Sequence, residues 1–142
     1  MISLNRTMKR RGDREKGQSM AEFAIVVPIF LLLLFAIVDF GMGFHAYITV
    51  TNSAREGARV GAIGANAATV ETRVRDTADS LNQANLSVTV TNAQGAPGES
   101  VVVDTSYQYS FLTPLAGIVQ FVSGGAIGPT LTLNSSADMR LE

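Results

Sequence analysis

Residues 16–44 read KGQSMAEFAIVVPIFLLLLFAIVDFGMGF, and the fold turns on them. A basic stretch ends at Gly17, one glutamate follows at Glu22, and a run free of polar side chains extends from Phe23 to Val38. Continued to Phe44, the segment measures roughly 33 Å at about 1.5 Å per residue. That crosses a hydrocarbon core of about 30 Å with modest tilt. The run predicts a membrane-spanning helix. A cleaved secretory signal is the competing expectation, but its apolar region is about 7–15 residues long and ends in a small-x-small site. Here the run is longer, and residues 39–47, DFGMGFHAY, hold no Ala-x-Ala. Pro28 removes one backbone donor and crowds the carbonyl of Ala24, which predicts a local bend.

Charge on either side of the run sets its orientation. Before Gly17 stand six basic residues (Arg6, Lys9, Arg10, Arg11, Arg14, Lys16) against Asp13 and Glu15; after it stand five basic residues against ten acidic ones. Basic flanks stay cytoplasmic, so the N-terminus is expected inside and the remainder outside. A basic tail also suits nucleic acid, but its direct attachment to a membrane run favours topology, and no nucleic-acid partner is expected. Residues 1–17 show no helical or strand periodicity and read as an unstructured cytoplasmic leader. Glu22 falls at the cytoplasmic edge of the span, where an unpaired carboxylate costs about 2.5–3.5 kcal/mol on insertion scales, so a partner is expected. Asp39, near the outer end, reads as an interfacial carboxylate within reach of headgroups or water.

The helix is expected to continue past the membrane to Gly64, since Tyr47–Gly64 contains no proline. Ser53, Gly57, Gly61 and Ala65 recur every four residues and form one small-residue stripe for close helix packing. Arg55 and Arg59 share another face, and Glu56 can pair with Arg59 at i,i+3 spacing; together with Asp39 these charges are interface candidates, with a solvated face as the plainer reading. Gly64 can end the helix and Asn66 can cap the next. Ala67, Val70, Val74, Ala78 and Leu81 then predict an amphipathic helix of about five turns.

Beyond Leu81 the period changes to two. Leu86, Val88 and Val90 alternate with Ser87, Thr89 and Thr91. After the turn signals of NAQGAPGE, the residues Val101, Val103, Thr105, Tyr107, Tyr109 and Phe111 line one face of a longer strand. Leu131 to Leu141 repeat the alternation, and Pro114–Val122 reads as a short helix or buried loop. The fold class is α+β: a long N-terminal transmembrane helix entering a small external domain, with one amphipathic helix and a mostly antiparallel sheet of about three strands. The expected divisions are 1–17, leader; 18–64, transmembrane and extended helix; and 65–142, external domain.

Signals for catalysis are missing from the sequence. There is no cysteine and a single histidine, His45, with no ligand or base near it in sequence. The glycines at Gly57, Gly61 and Gly64 lack the lysine of a phosphate loop. No metal, cofactor or small-molecule substrate is expected, and an enzyme is not.

That leaves Gly17 and Glu22. Cutting between Gly17 and Gln18 would create a new amine, and Glu22 would become the fifth residue of the mature chain. A neighbouring copy's amine could then offset the carboxylate's cost of entering the bilayer, with the helices side by side and staggered by a few residues. Here the sequence resembles the class III leader and N-terminal helix of type IV pilin-like proteins. More narrowly, RRGDREKGQSMAEFAIVVPIFLLLLFAIVDFG is similar to the TadE-like family, the pseudopilins of Tad (Flp) pilus systems. The family's features fall on Gly17, Glu22, Phe23, Pro28, Asp39 and Thr51–Arg59 (TNSAREGAR). The resemblance covers roughly Arg10–Ala62, with a looser likeness at the C-terminus.

The resemblance implies a single-pass bacterial inner-membrane precursor cut after Gly17 by a prepilin peptidase. It also implies assembly through Glu22 and Phe23 with other Tad pilins or pseudopilins, on an inner-membrane platform and within membrane lipid. The expected role is that of a minor pilin-like protein supporting a pilus used in surface attachment. The alternatives are the major filament subunit, an uncleaved membrane-anchored binding domain, and a small enzyme.

Overall fold

The computed structural model describes residues 4–126 and 128–142, with side chains from Gly17 onward. In chain order it contains α1 (Leu4–Ala62), α2 (Ala67–Thr77), a single 3-10 turn at Gln83–Asn85, β1 (Leu86–Thr91), β2 (Ser100–Ser110), α3 (Leu115–Val122) and β3 (Thr130–Arg140). Contacts divide the chain into two units, Met1–Ile37 and Val38–Glu142. The division falls inside α1 and not near Gly64, because from Asp39 onward this helix contributes buried side chains to the second unit's core.

From Phe23 to Ile37, α1 is apolar on every side, and the helix carries an 18-residue window of mean hydropathy 2.8, of which only 6 % is buried. A helix hydrophobic all round without protein cover is matched by lipid. The expectation of an unstructured leader is corrected: residues 4–16 are helical. Arg, Lys, Met, Leu and Glu, which dominate this stretch, are good helix formers, and no proline interrupts them before Pro28. Charge without apolar periodicity was therefore no argument against a helix continuous with the span. Residues 1–3 of the leader lie outside the described residues. Pro28 sits within α1, which continues through it.

The second unit is an α+β layer. The three strands lie in the order β1-β2-β3. Both pairings are antiparallel, from Leu86 opposite Tyr107 to Thr91 opposite Val102, and from Ser100 opposite Arg140 to Ser110 opposite Thr130. Period-two alternation sends Val101, Val103, Thr105, Tyr107 and Tyr109 of β2 to the covered face. They pack in two groups. Ala46, Val50, Ala78, Leu81, Leu86, Tyr107 and Tyr109 form one, and Ala58, Val70, Val74, Val101, Val103 and Leu141 the other. The opposite face, with Ser87, Thr89, Asp104, Asn134 and Ser136 on it, is left largely to solvent, as antiparallel sheets allow.

α1 ends at Ala62, and Gly64, at φ +88°, supplies the left-handed residue beyond it. The side chain of Asn66 accepts from the Thr69 backbone N–H at the start of α2. α2 is shorter than expected, 11 residues in place of about five turns. The Ala78 N–H closes the helix on the carbonyls of Val74 and Arg75, and the Gln83 side chain donates to the Ala78 carbonyl. Asp79 and Ser80 favour such turns over helix interiors. Ala78 and Leu81 still reach the core, so the apolar pattern continues where the helix does not. The long strand stops at Ser110, one residue before Phe111, and α3 begins at Leu115 after Pro114.

Candidate assembly site

The residues singled out in the sequence fall at three levels of α1. At the first, Gly17, Gln18, Glu22 and Phe23 are all exposed. The Gln18 side-chain amide donates to the Glu22 carboxylate over 3.1 Å, the i,i+4 contact that helical spacing provides. An amide is a neutral partner, so this contact leaves the carboxylate's charge uncompensated. A Cβ added at Gly17 would meet nothing within 4 Å. The glycine is therefore not required by packing in the described chain.

At the second level stands Asp39, and here the expectation of a solvated interfacial carboxylate is overturned. Asp39 is 2 % exposed. One carboxylate oxygen accepts from the backbone N–H groups of Leu112 at 2.9 Å and Thr113 at 3.2 Å, while the other accepts from the Thr113 hydroxyl. The Tyr109 hydroxyl donates to the Asp39 backbone carbonyl over 3.1 Å. Burial, followed by the nearby Asp39 charge, pushes the Tyr109 phenol above its usual pKa, so it remains a donor at neutral pH. Asp39 thus ties α1 to the corner between β2 and α3. Beside it lies an apolar groove of about 260 Å³, lined by Phe40, Gly43, Phe44 and Tyr47 of α1 and by Tyr109, Phe111, Leu131 and Leu133.

At the third level, the small-residue stripe meets the chain's own valines. Ser53, Gly57 and Gly61 are buried and Ala65 is half-buried. A Cβ at Gly57 would collide with Val74 Cγ2 and lie 3.4 Å from Val103 Cγ1. At Gly61 it would meet the two methyls of Val101 at 3.0 and 3.1 Å. The Ser53 hydroxyl donates to the Val50 carbonyl. A neighbouring row, Ala46, Val50, Ala54 and Ala58, is buried as well. The sequence reading missed that row, although its four-residue spacing was available.

Of the charged candidates at this level, Arg55 is exposed, whereas Glu56 is held by two arginines. Arg59 reaches it at 2.7 Å from the same helix, and Arg73 at 2.7 Å from α2. Arg73 was not singled out in the sequence, because its 17-residue separation from Glu56 gives no local signal. Hydrogen bonds from Arg59 and then Arg73 lower the Glu56 pKa to about 2. A depressed carboxylate contributes stability above its unfolded value and loses it as pH falls through the folded one. Between about pH 4.5 and 2 the wild-type protein should therefore lose stability that Glu56→Gln does not lose. Urea midpoints for both proteins, measured at about pH 5, above that window, and at about pH 2.5, near its lower end, check this, and parallel losses would remove Glu56 from the acid response. The effect is expected to be modest, because exposed ion pairs are weak.

Residues 17–59 match a protein family described as TadE-like protein. The chain carries a TadE-like segment. The match begins at the glycine before the proposed cut, and it includes Glu22, Asp39, the glycine of the stripe at Gly57 and the Glu56–Arg59 pair. The matched segment is similar to the TadE-like family, and its apolar helix fits a single-pass membrane anchor. No curated protein and no solved structure matches the chain. The TadE-like segment ends three residues before α1 does, so α2, the sheet and α3 lie beyond it.

Proposed function

We propose that this chain is a minor pilin-like structural protein of a Tad (Flp) pilus, made as an inner-membrane precursor and cut after Gly17 by a prepilin peptidase. The observation that carries the reading is the order of parts within the TadE-like segment: glycine, glutamate five residues on, and an apolar helix that continues into the core of a folded unit. The basic leader stays in the cytoplasm and the sheet-bearing unit lies outside it. Cleavage frees the Gln18 amine, which pairs with Glu22 of an adjacent pilin-like subunit as the helices pack together. The protein works by assembly and not by catalysis, takes no cofactor, and supports the biogenesis of a pilus used in surface attachment. Its partners are the peptidase, other Tad pilins or pseudopilins and the membrane assembly platform. With the stripe of Ser53, Gly57 and Gly61 occupied by the chain's own sheet and α2, contact between subunits falls to the exposed apolar surface of α1.

Co-expression with the cognate peptidase tests the cut. The wild-type chain should lose the mass of residues 1–17, and Gly17→Ala should stay at full length. Because a Cβ there meets no neighbour, loss of cleavage in that variant reports peptidase recognition and not misfolding. A wild-type chain that keeps its full mass would refute processing.

A further inference from the structure

We propose that α3 and the residues leading into it form a second membrane contact, seated in the bilayer interface beside the point where α1 leaves the lipid. The occupant of this surface is the lipid bilayer itself. α3, LAGIVQFV, buries none of its residues. Leu112 is 70 % exposed, Phe121 88 % and Val122 79 %, with Ile118 also exposed. Between Phe111 and Ala137 the sequence contains no charged residue, so seating this stretch in lipid carries no penalty for burying an ion.

Its height is fixed by Asp39. The carboxylate that follows the apolar run Phe23–Val38 accepts from the N–H groups of Leu112 and Thr113 and from the Thr113 hydroxyl. α3 begins at Leu115, two residues after this clamp, and is therefore tethered near the outer end of the span. The apolar groove beside Asp39 opens at the same level, with the exposed rings of Phe40 and Phe44 on its α1 wall. Phe and Leu side chains are those that interfacial segments bury at the headgroup–acyl boundary. A surface helix with apolar residues at a membrane boundary binds by the area it buries there. The consequence is a pilin-like unit held against the membrane surface by a tether and a foot, with the foot released when the subunit leaves the bilayer.

The proposal rests on α1 spanning the bilayer and not on cleavage or on the pilus. The full chain is free of cysteine, so single cysteines carrying an environment-sensitive fluorophore can be placed at Phe121, at Asn134 on the solvated sheet face, and at Leu33 within the span. The labelled chains are reconstituted in phosphatidylcholine–phosphatidylglycerol vesicles at high and low protein-to-lipid ratios, then quenched by lipid-borne nitroxide or by aqueous iodide. The expected result is a Phe121→Cys probe quenched severalfold more by shallow nitroxide than the Asn134→Cys probe, and shielded from iodide at both ratios. A Phe121→Cys probe open to iodide while the Leu33→Cys probe is lipid-quenched overturns the foot and leaves the span standing. Shielding that disappears on dilution in lipid assigns the surface to a second copy and also overturns it. A Leu33→Cys probe open to iodide removes the span and the proposal together.

Discussion

Asp39→Ala should destabilise the second unit by about 2–4 kcal/mol, since it leaves two backbone donors and one hydroxyl without their acceptor. That is a large fraction of the about 5–15 kcal/mol that holds a typical domain together. The donors belong to Leu112 and Thr113 in the turn after β2. The turn is partly open to water, so some of the loss is recovered by hydration, which keeps the figure below the full sum of three orphaned groups. Asp39→Asn provides the control. Its amide oxygen can still accept from both N–H groups, and the Thr113 hydroxyl can reverse to accept from the new NH2, so the expected cost is about 1 kcal/mol. Denaturant unfolding in detergent, followed by tyrosine near-ultraviolet circular dichroism, reads both variants through Tyr107 and Tyr109. Each midpoint should fall with the slope unchanged. If Asp39→Ala unfolds at the wild-type midpoint, the clamp contributes nothing to stability.

The second large effect is expected at Gly57, where the backbone of α1 approaches the valines most closely. A Cβ there would overlap Val74 Cγ2, nearer than any real contact, so α1 and α2 must separate or Val74 must leave its rotamer. Overpacking of this kind costs about 1–3 kcal/mol for added methylene volume. In Gly57→Ala, the better helix propensity of alanine returns about 1 kcal/mol, leaving a modest net loss. In Gly57→Leu the loss should reach about 3 kcal/mol. Gly61→Ala, with its nearest atoms at 3.0 and 3.1 Å, should lie closer to neutral. In unfolding midpoint, Gly57→Leu should fall below Gly57→Ala, and Gly57→Ala below Gly61→Ala. A Gly57→Leu protein as stable as the wild type would mean that the stripe does not face Val74 and Val103.

These two sites also mark where the sequence was readable and where it was not. Alternation at Leu86–Thr91 and along Val101–Tyr109 placed β1 and β2 within a residue of their observed limits, because a sheet covered on one face writes its period directly into side-chain polarity. Gly64 and Asn66 were legible for the same local reason, since a left-handed residue and a capping amide act within one turn. Ser53, Gly57 and Gly61 were recognisable as a packing stripe, but its partners were not. Val74, Val101 and Val103 lie on other elements, and small residues alone do not distinguish a neighbouring copy from the chain's own sheet. Asp39 was the least legible residue. Beside an apolar run, a lone carboxylate suggests an interface, and its actual partners lie 73 and 74 residues away in a turn without charge or special composition. The TadE-like segment stood out because Gly17, Glu22 and the span form one contiguous pattern, the kind of signal that needs no tertiary contact.

Assembly through Glu22 after removal of the leader makes opposite demands on cleavage and on piliation, and a single variant separates them. Glu22→Ala alters an exposed side chain whose described partner is Gln18, so folding and peptidase recognition should persist. In cells carrying the cognate Tad system, intact mass should show the variant chain beginning at Gln18, as the wild type does, while surface pili counted by electron microscopy disappear. A cleaved Glu22→Ala chain in normally piliated cells would contradict the account.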